Sequence, residues 1–160
     1  MLVRKTFKPG DLGYVIYLHG LLYAREYALD HTFEGDVAQR MGELMKLFDA
    51  TKDLFAVAED GEGNVVGSVA INGLADNTAQ LRWFLLHPSA RGFGLGKQLL
   101  QDAVNFCKEK KFKSVSLWTI SELKTAAHLY RQAGFELTWE NTREFWGGMR
   151  TEQRYDLILH

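Results

Sequence analysis

Cysteine and proline are scarce in this sequence. The chain of 160 residues contains one cysteine, Cys107, and two prolines, Pro9 and Pro88. A single cysteine excludes an intrachain disulfide, so the sequence is not that of a small secreted domain built on disulfide bridges. Since no proline-rich linker, low-complexity tract or internal repeat divides the chain, we expect one domain over residues 1–160.

Long apolar runs and an excess of one charge are also absent. The N-terminal segment lacks the apolar stretch of a signal peptide, and no apolar run approaches the roughly 20 residues of a membrane span. There are 19 basic and 20 acidic residues, whereas nucleic-acid-binding domains are usually markedly basic. We therefore predict a cytoplasmic protein that binds neither membranes nor nucleic acid directly. The five histidines show no metal-ligand spacing, and no metal is predicted.

Apolar periodicity divides the sequence into helical and strand-like segments. Hydrophobic residues make up 46% of the chain, which is enough for a real core. Asp11, Thr32 and Ser121 are predicted to cap three helices, because their side-chain oxygens can accept from free backbone N–H groups. The predicted order is ααβββαβαββ, with a further strand at residues 2–7 left open. This order is typical of an α/β or α+β sheet with helices on its faces.

A glycine-rich segment, HPSARGFGLGK at residues 87–97, joins a predicted strand to a predicted helix. It holds three glycines at alternate positions: Gly92, Gly94 and Gly96. The first N–H groups of a helix are free and carry partial positive charge, and glycines let phosphate oxygens approach them closely. Arg91 and Lys97 add charge at either end. We predict that residues 91–97, the glycine turn, bind a phosphate group; an ordinary surface turn is the alternative.

Two common phosphate motifs do not match the glycine turn. The dinucleotide fingerprint G-x-G-x-x-G would need a glycine where Lys97 stands. The P-loop would need glycine at Arg91 and Ser or Thr at Gln98. The glycine turn is therefore neither the dinucleotide fingerprint nor a P-loop.

Two motifs about 35 residues apart carry a family resemblance. The first is Arg or Gln, two residues, Gly, one residue, and Gly or Ala, and it is matched by Arg91, Gly94 and Gly96. The second is A-x-x-L-Y followed by G-F, and it is matched by Ala126, Leu129, Tyr130, Gly134 and Phe135. With these motifs the chain resembles the GNAT superfamily of acyl-CoA-dependent N-acyltransferases.

The resemblance extends over nearly the whole chain, toward GNAT domains found behind MarR-type regulators. No winged helix is present here, so we expect a stand-alone domain of that type. The chain departs from the family at Leu123, where many members carry an asparagine near the cofactor. The resemblance implies the GNAT fold, with about four helices and a mixed, mostly antiparallel sheet splayed at its central strand.

The resemblance also implies how acetyl-CoA is bound. The backbone of three strand residues would pair with the pantetheine arm: Phe84, Leu85 and Leu86. The pyrophosphate would lie on the glycine turn, formed by Arg91, Gly92, Phe93, Gly94, Leu95, Gly96 and Lys97. Tyr130 would face the sulfur and return its proton. Because Tyr130 shares a helix face with Ala127, a role in core packing is the alternative.

The implied activity is an N-acetyltransferase in which an amine attacks the thioester directly and acetyl-CoA is a co-substrate. The acceptor could be a small-molecule amine, an amino acid, a peptide N-terminus or a protein lysine. Glu26 is the candidate base, within a group near the end of the first helix: His19, Tyr23, Glu26 and Tyr27. We expect this group to line the acceptor pocket, with residues 144–150 as another wall; an ordinary polar helix face is the alternative.

A different function class also fits the same motifs. A protein of GNAT fold could bind acyl-CoA as a regulatory module without catalysing transfer. The absence of an obvious base and the leucine at position 123 keep this alternative open. The sequence also leaves a homodimer open.

Overall fold

The computed structural model describes residues 1–160 and contains seven strands and four α-helices. The strands are β1 (Leu2–Arg4), β2 (Leu54–Glu59), β3 (Val65–Gly73), β4 (Ala79–Leu86), β5 (Ser114–Ile120), β6 (Glu136–Phe145) and β7 (Gly148–Ile158). The helices are α1 (Asp11–Tyr27), α2 (His31–Lys46), α3 (Leu95–Glu109) and α4 (Lys124–Gln132). The predicted order is confirmed, and the optional N-terminal strand exists as β1. None of the helices has the length and hydrophobicity needed to cross a membrane.

One sheet holds all seven strands in the order β1-β2-β3-β4-β5-β7-β6. Only β4 and β5 run parallel, and every other neighbouring pair is antiparallel. Helices cover both faces, which explains why every residue of β2 is buried. One face packs on α3 and α4 around Leu99 and Leu117, and the other packs on α1 and α2 around Val15 and Met41.

The two central strands separate along their length. β4 and β5 are paired only at Ala79 with Val115 and at Gln80 with Ser116. Beyond these pairs the strands diverge, and the β4–β5 gap opens between residues 81–86 and residues 117–120. The predicted splay at the central strand is confirmed.

A bulge in β4 lies beside this gap. Ser68 of β3 is opposite Leu85 and Ala70 is opposite Arg82, so Trp83 and Phe84 together face a single β3 residue. Trp83 has a φ of 49°, and its carbonyl accepts a 2.7 Å hydrogen bond from the Ser68 hydroxyl. Because of the bulge, Trp83 packs with the α1/α2 core whereas Phe84 packs with the α3/α4 core.

All three predicted helix caps are wrong in detail, and at α4 the residue before the helix is Leu123 rather than Ser121. Gly10, with a φ of 91°, precedes α1, and Asp11 is the first helical residue. The Asp11 carboxylate instead pairs with Arg4 at 2.7 Å. At α2 the cap is Asp30, whose carboxylate accepts from the Thr32 N–H at 3.0 Å. Asp11 accepts from the Lys8 N–H in the turn before α1 and pairs with Arg4, whereas Asp30 caps α2 directly.

Candidate active site

The glycine turn presents a row of free backbone donors. From Gly92 to Lys97, no backbone N–H donates to a protein acceptor, and the first bond of α3 runs from Gln98 N to Gly94 O at 3.1 Å. Gly92 and Gly94 have φ angles of 85° and 79°, which only glycine adopts without strain. Six consecutive N–H groups at a helix N-terminus form a concave site for an anion.

Packing holds this turn close to the sheet. A Cβ added at Gly96 would lie 2.8 Å from the Leu86 side chain and 3.2 Å from the Leu129 side chain, so α3 approaches β4 and α4 closely at that point. Added Cβ atoms at Gly92 and Gly94 would meet nothing within 4 Å. The first residues of the turn are thus open to a ligand while its last glycine is buried.

Arg91 has its own partners inside the protein. Its guanidinium forms a two-pronged ion pair with the Glu26 carboxylate and donates to the Leu86 carbonyl at 3.0 Å. Arg91 lowers the pKa of the Glu26 carboxyl and Glu26 raises the pKa of Arg91. The Arg91–Glu26 pair links the glycine turn to the end of α1. Because Glu26 neutralises Arg91, this arginine offers less positive charge to a phosphate group than the sequence alone suggested.

Backbone groups of β4 point into the β4–β5 gap. The Trp83 carbonyl accepts from Ser68, and the His87 N–H donates to the Val66 carbonyl at 2.7 Å, so both point toward β3. Because the N–H and C=O of one peptide plane point in opposite directions, the Phe84 N–H and the Leu86 C=O face the gap. By strand alternation, the N–H and C=O of Leu85 are directed to β3 instead.

Tyr130 of α4 lies at the floor of this gap. Only 5% of its surface is exposed, and its ring lies 5.9 Å from the Phe84 ring and 5.9 Å from the Tyr155 ring between centroids. Burial raises the pKa of its phenol, so the hydroxyl is protonated at neutral pH. The residue belongs to the α3/α4 core and also lines the cavity described next.

A cavity of about 510 Å³, the main cavity, lies between the sheet and the first two helices. Its floor includes Arg82 and Trp83 from β4, Trp118 from β5 and Glu152 from β7. It reaches Tyr130 through the β4–β5 gap. The main cavity therefore connects the α1/α2 face with the side of the sheet that carries the glycine turn.

The roof of the main cavity is largely aromatic. It includes His19 and Tyr23 from α1, Phe33 from α2 and Trp146 from the β6–β7 turn. Tyr23 and Phe33 stack at 4.9 Å, and Trp146 meets Phe33 edge-on at 4.9 Å. His19 and Tyr23 of the expected lining therefore line the main cavity, and of residues 144–150 Trp146 does; that this cavity takes the acceptor stays a prediction.

Two members of the expected lining, Glu26 and Tyr27, do not line the main cavity. The structure gives Glu26 no support as a base, because its carboxylate is held by Arg91 and its pKa is lowered.

His19 is a buried histidine with one free nitrogen. It is 2% exposed, its Nδ1 donates to the Val15 carbonyl at 2.8 Å, and its Nε2 has no hydrogen-bond partner. Burial lowers its pKa to about 4. The ring is therefore neutral at pH 7, with an unprotonated Nε2 beside the aromatic roof.

The main cavity is lined by two carboxylates that the sequence did not single out, Asp36 and Glu152. Asp36 accepts from the Trp146 indole N–H at 2.8 Å. Glu152 lies opposite Ile120 in the β5–β7 pairing, at the end of β5 that borders the gap, and its nearest cation is Arg143 at 3.7 Å. Neither has a local sequence motif. No group of three or more metal-ligating side chains is present.

Comparison with known proteins identifies the family. A model of the acetyltransferase (GNAT) family matches residues 15–135, which include both sequence motifs. The chain belongs to the GNAT family. An uncharacterized N-acetyltransferase of Schizosaccharomyces pombe is 26% identical to it over 117 residues, which cover 72% of this chain and 71% of that protein.

Solved structures share the fold of this GNAT chain. An acetyltransferase structure from Salmonella typhimurium with its cofactor acetyl-CoA has a TM-score of 0.75 at 18% identity, over 100% of this chain and 94% of that one. A phosphinothricin acetyltransferase from Sinorhizobium meliloti, in complex with acetyl-CoA, has a TM-score of 0.76 at 20% identity, over 99% and 88% of the chains. The predicted GNAT fold is confirmed, whereas the likeness to MarR-linked domains stays a prediction.

Proposed function

We propose that this protein is an acetyl-CoA-dependent N-acetyltransferase, in one domain over residues 1–160, that acetylates an amine by direct attack. One arrangement carries the proposal. The free N–H groups of residues 92–97 lie at the end of β4, the β4–β5 gap runs alongside, and Tyr130 closes that gap. Acetyl-CoA-bound relatives with this fold support the choice of co-substrate.

The residues of the chain fit acetyl-CoA. The open amides of Gly92 and Gly94 would bind the pyrophosphate, and exposed Lys97 adds positive charge nearby. The pantetheine arm would run in the gap along the backbone of Phe84, as an added strand pairs with a sheet edge. When bound, the co-substrate supplies an activated acetyl carbonyl, and the Phe84 N–H is the donor that we assign to its oxygen.

The acceptor enters from the α1/α2 face through the main cavity. At pH 7 an amine is mostly protonated, so it must lose a proton before it attacks. We infer that Glu152 takes this proton, directly or through water, because its carboxylate lines the cavity and accepts no hydrogen bond, and because its ion pair with Arg143, at 3.7 Å, is longer than the hydrogen-bonded pair that holds Glu26. Asp36 is already engaged by Trp146. Glu26, the base suggested by the sequence, would then serve to hold Arg91 and the glycine turn.

Tyr130 is assigned the role of returning a proton to the sulfur of CoA. The N–C bond forms and the C–S bond breaks. The nitrogen releases its second proton as it becomes an amide, and the leaving sulfur takes a proton from the phenol, which is reprotonated by the proton that the nitrogen releases. Its buried position keeps the phenol protonated, as a proton donor requires. The raised pKa also makes it a weaker acid than a phenol in water, so the donation depends on close approach of the sulfur.

The experiment is thiol release from acetyl-CoA across a panel of amines, together with the melting temperature in the presence of acetyl-CoA. The proposal predicts stabilisation by acetyl-CoA and thiol release that requires an amine. A non-catalytic acyl-CoA-binding module predicts stabilisation without amine-dependent release. If acetyl-CoA neither stabilises the protein nor releases thiol in the presence of an amine, both the enzyme and the non-catalytic binding module are contradicted.

A further inference from the structure

Arg82 is a partly buried arginine without a carboxylate partner. Among the arginines that are not exposed, Arg4, Arg150 and Arg154 each form an ion pair, with Asp11, Glu122 and Asp156 respectively. Arg82 forms none, and its guanidinium donates no hydrogen bond within the protein. A guanidinium that is partly removed from water is stabilised by a nearby anion or acceptor, because burial without one costs free energy.

Arg82 has a second arginine and two carboxylates nearby: Arg40 lines the main cavity and a smaller one with it, and Glu43 and Asp53 line the smaller one. Burial lowers the pKa of Arg82, and the nearby charge of Arg40 lowers it further, while Glu43 acts weakly in the other direction. Arg82 also lies over the Trp83 ring, with its guanidinium carbon 5.4 Å from the ring centroid. Both arginines line the main cavity and a smaller neighbouring cavity of about 220 Å³. An anion bound between the two guanidiniums would relieve their mutual repulsion.

The position of Arg82 relates this site to the chemistry. Arg82 precedes the bulge, and Phe84, whose N–H faces the β4–β5 gap, follows two residues later. Two residues of a regular strand span about 7 Å, and the bulge makes the spacing along β4 shorter than that. An anionic group on Arg82 and an amine at the gap can therefore belong to one small molecule.

Negative charge lies on the opposite side of the same cavity. Glu152 is on β7, which is separated from β4 by β5. Aromatic rings also line the cavity, among them Phe33, Trp118 and Trp146, and so does the Asp36 carboxylate, which accepts from Trp146. The main cavity thus offers cations for an anionic group, a carboxylate for an ammonium, and apolar walls for a side chain.

We propose that Arg40 and Arg82 bind the carboxylate of the acceptor, which is an amino acid with an aromatic or large apolar side chain. The inference rests on the proposed function, since it assigns the substrate class of the same site. A polyamine or a basic peptide side chain would instead bring further positive charge against the two arginines, which is unfavourable.

The test compares acceptors that differ only in the carboxylate. Phenylalanine should exceed phenethylamine and phenylalanine amide in kcat/KM by about 10- to 100-fold, the range expected for a charge-assisted hydrogen bond. In Arg82→Gln this preference should fall by at least about 3-fold, because one of the two guanidiniums that bind the carboxylate is lost. Arg25→Gln, an exposed arginine of α1 outside the cavity, is the matched control and should keep the preference. Equal rates in the wild type, or a preference for spermidine, would overturn the proposal.

Binding to the CoA-loaded protein provides a readout that does not need turnover. N-acetylphenylalanine should bind at least about 10-fold more tightly than N-acetylphenethylamine, and Arg82→Gln should reduce this difference by at least about 3-fold. If this preference holds but no amine is acetylated, the carboxylate site stands and the proposed function falls. If amines are acetylated without regard to the carboxylate, the proposed function stands and the site falls. Failure of both probes to bind also overturns the site.

Discussion

Gly94 is the position at which a single side chain should separate folding from acetyl-CoA binding. It precedes α3 with a φ of 79°, a conformation that strains any β-branched residue. An added Cβ would meet nothing within 4 Å, so a valine side chain would project into the space over the free N–H groups. We predict that Gly94→Val folds but no longer binds acetyl-CoA.

Strain at position 94 and binding of acetyl-CoA change the melting temperature in opposite directions and by different amounts. The left-handed conformation costs a non-glycine residue about 1–2 kcal/mol, which lowers the melting temperature of a domain of this length by about 2 to 8 °C. In the wild type, acetyl-CoA at a hundredfold excess over its Kd stabilises the fold by about 2.7 kcal/mol. This corresponds to a rise of about 5 to 10 °C, which Gly94→Val should lack.

Gly63 provides the matched control. It lies in the turn between β2 and β3 with a φ of 82°, and an added Cβ there also meets nothing within 4 Å. Gly63→Val should lose similar stability yet keep the full rise with acetyl-CoA, as measured by thermal unfolding with and without the ligand. A normal rise in Gly94→Val, or loss of the rise in both variants, would refute the assignment of the glycine turn.

Three further predictions concern the main cavity. Tyr130→Phe should lower turnover by about 10² to 10⁴ with little change in melting temperature or CoA binding, because the ring contacts remain; equal loss of stability and activity would make it a core residue only. Glu152→Gln should slow transfer at least about tenfold more than Glu26→Gln, measured as kcat at saturating acetyl-CoA; the reverse order would restore Glu26 as the base. His19 has a folded pKa of about 4 against an ordinary 6.5, so it binds a proton more readily in the unfolded chain and stability falls as the pH drops from about 6.5 toward 4. At pH 5 His19 accounts for a loss of about 2 kcal/mol in the free energy of unfolding. In His19→Asn, the free energy of unfolding measured with denaturant should therefore change less between pH 7 and pH 5 than in the wild type.

Local features of the site could be predicted from the sequence. The glycine turn depends on residues adjacent in the chain, and the left-handed angles at Gly92 and Gly94 are what glycine at those positions allows. The helix that carries Tyr130 could also be predicted, because its apolar residues recur at helical spacing. Its start was misplaced, because Ser121 donates its N–H to Thr151 while Leu123 precedes α4.

Features built from distant segments could not be predicted. The Glu26–Arg91 ion pair joins residues 65 positions apart, and in the sequence each looked like an independent functional residue. The bulge at Trp83 depends on a hydroxyl of the neighbouring strand, and tryptophan gives no sign of a positive φ. Glu152 reaches the main cavity only because β7 pairs with β5, a register that no local pattern fixes.

The most direct measurement is mass spectrometry after reaction of the protein with isotope-labelled acetyl-CoA and an amine acceptor. The proposed mechanism predicts labelled acetyl on the amine nitrogen, CoA thiol in equal amount, and no labelled acetyl on the protein when the acceptor is left out. Thiol release without acetylated amine, or label that accumulates on the protein before it reaches the amine, would contradict direct transfer.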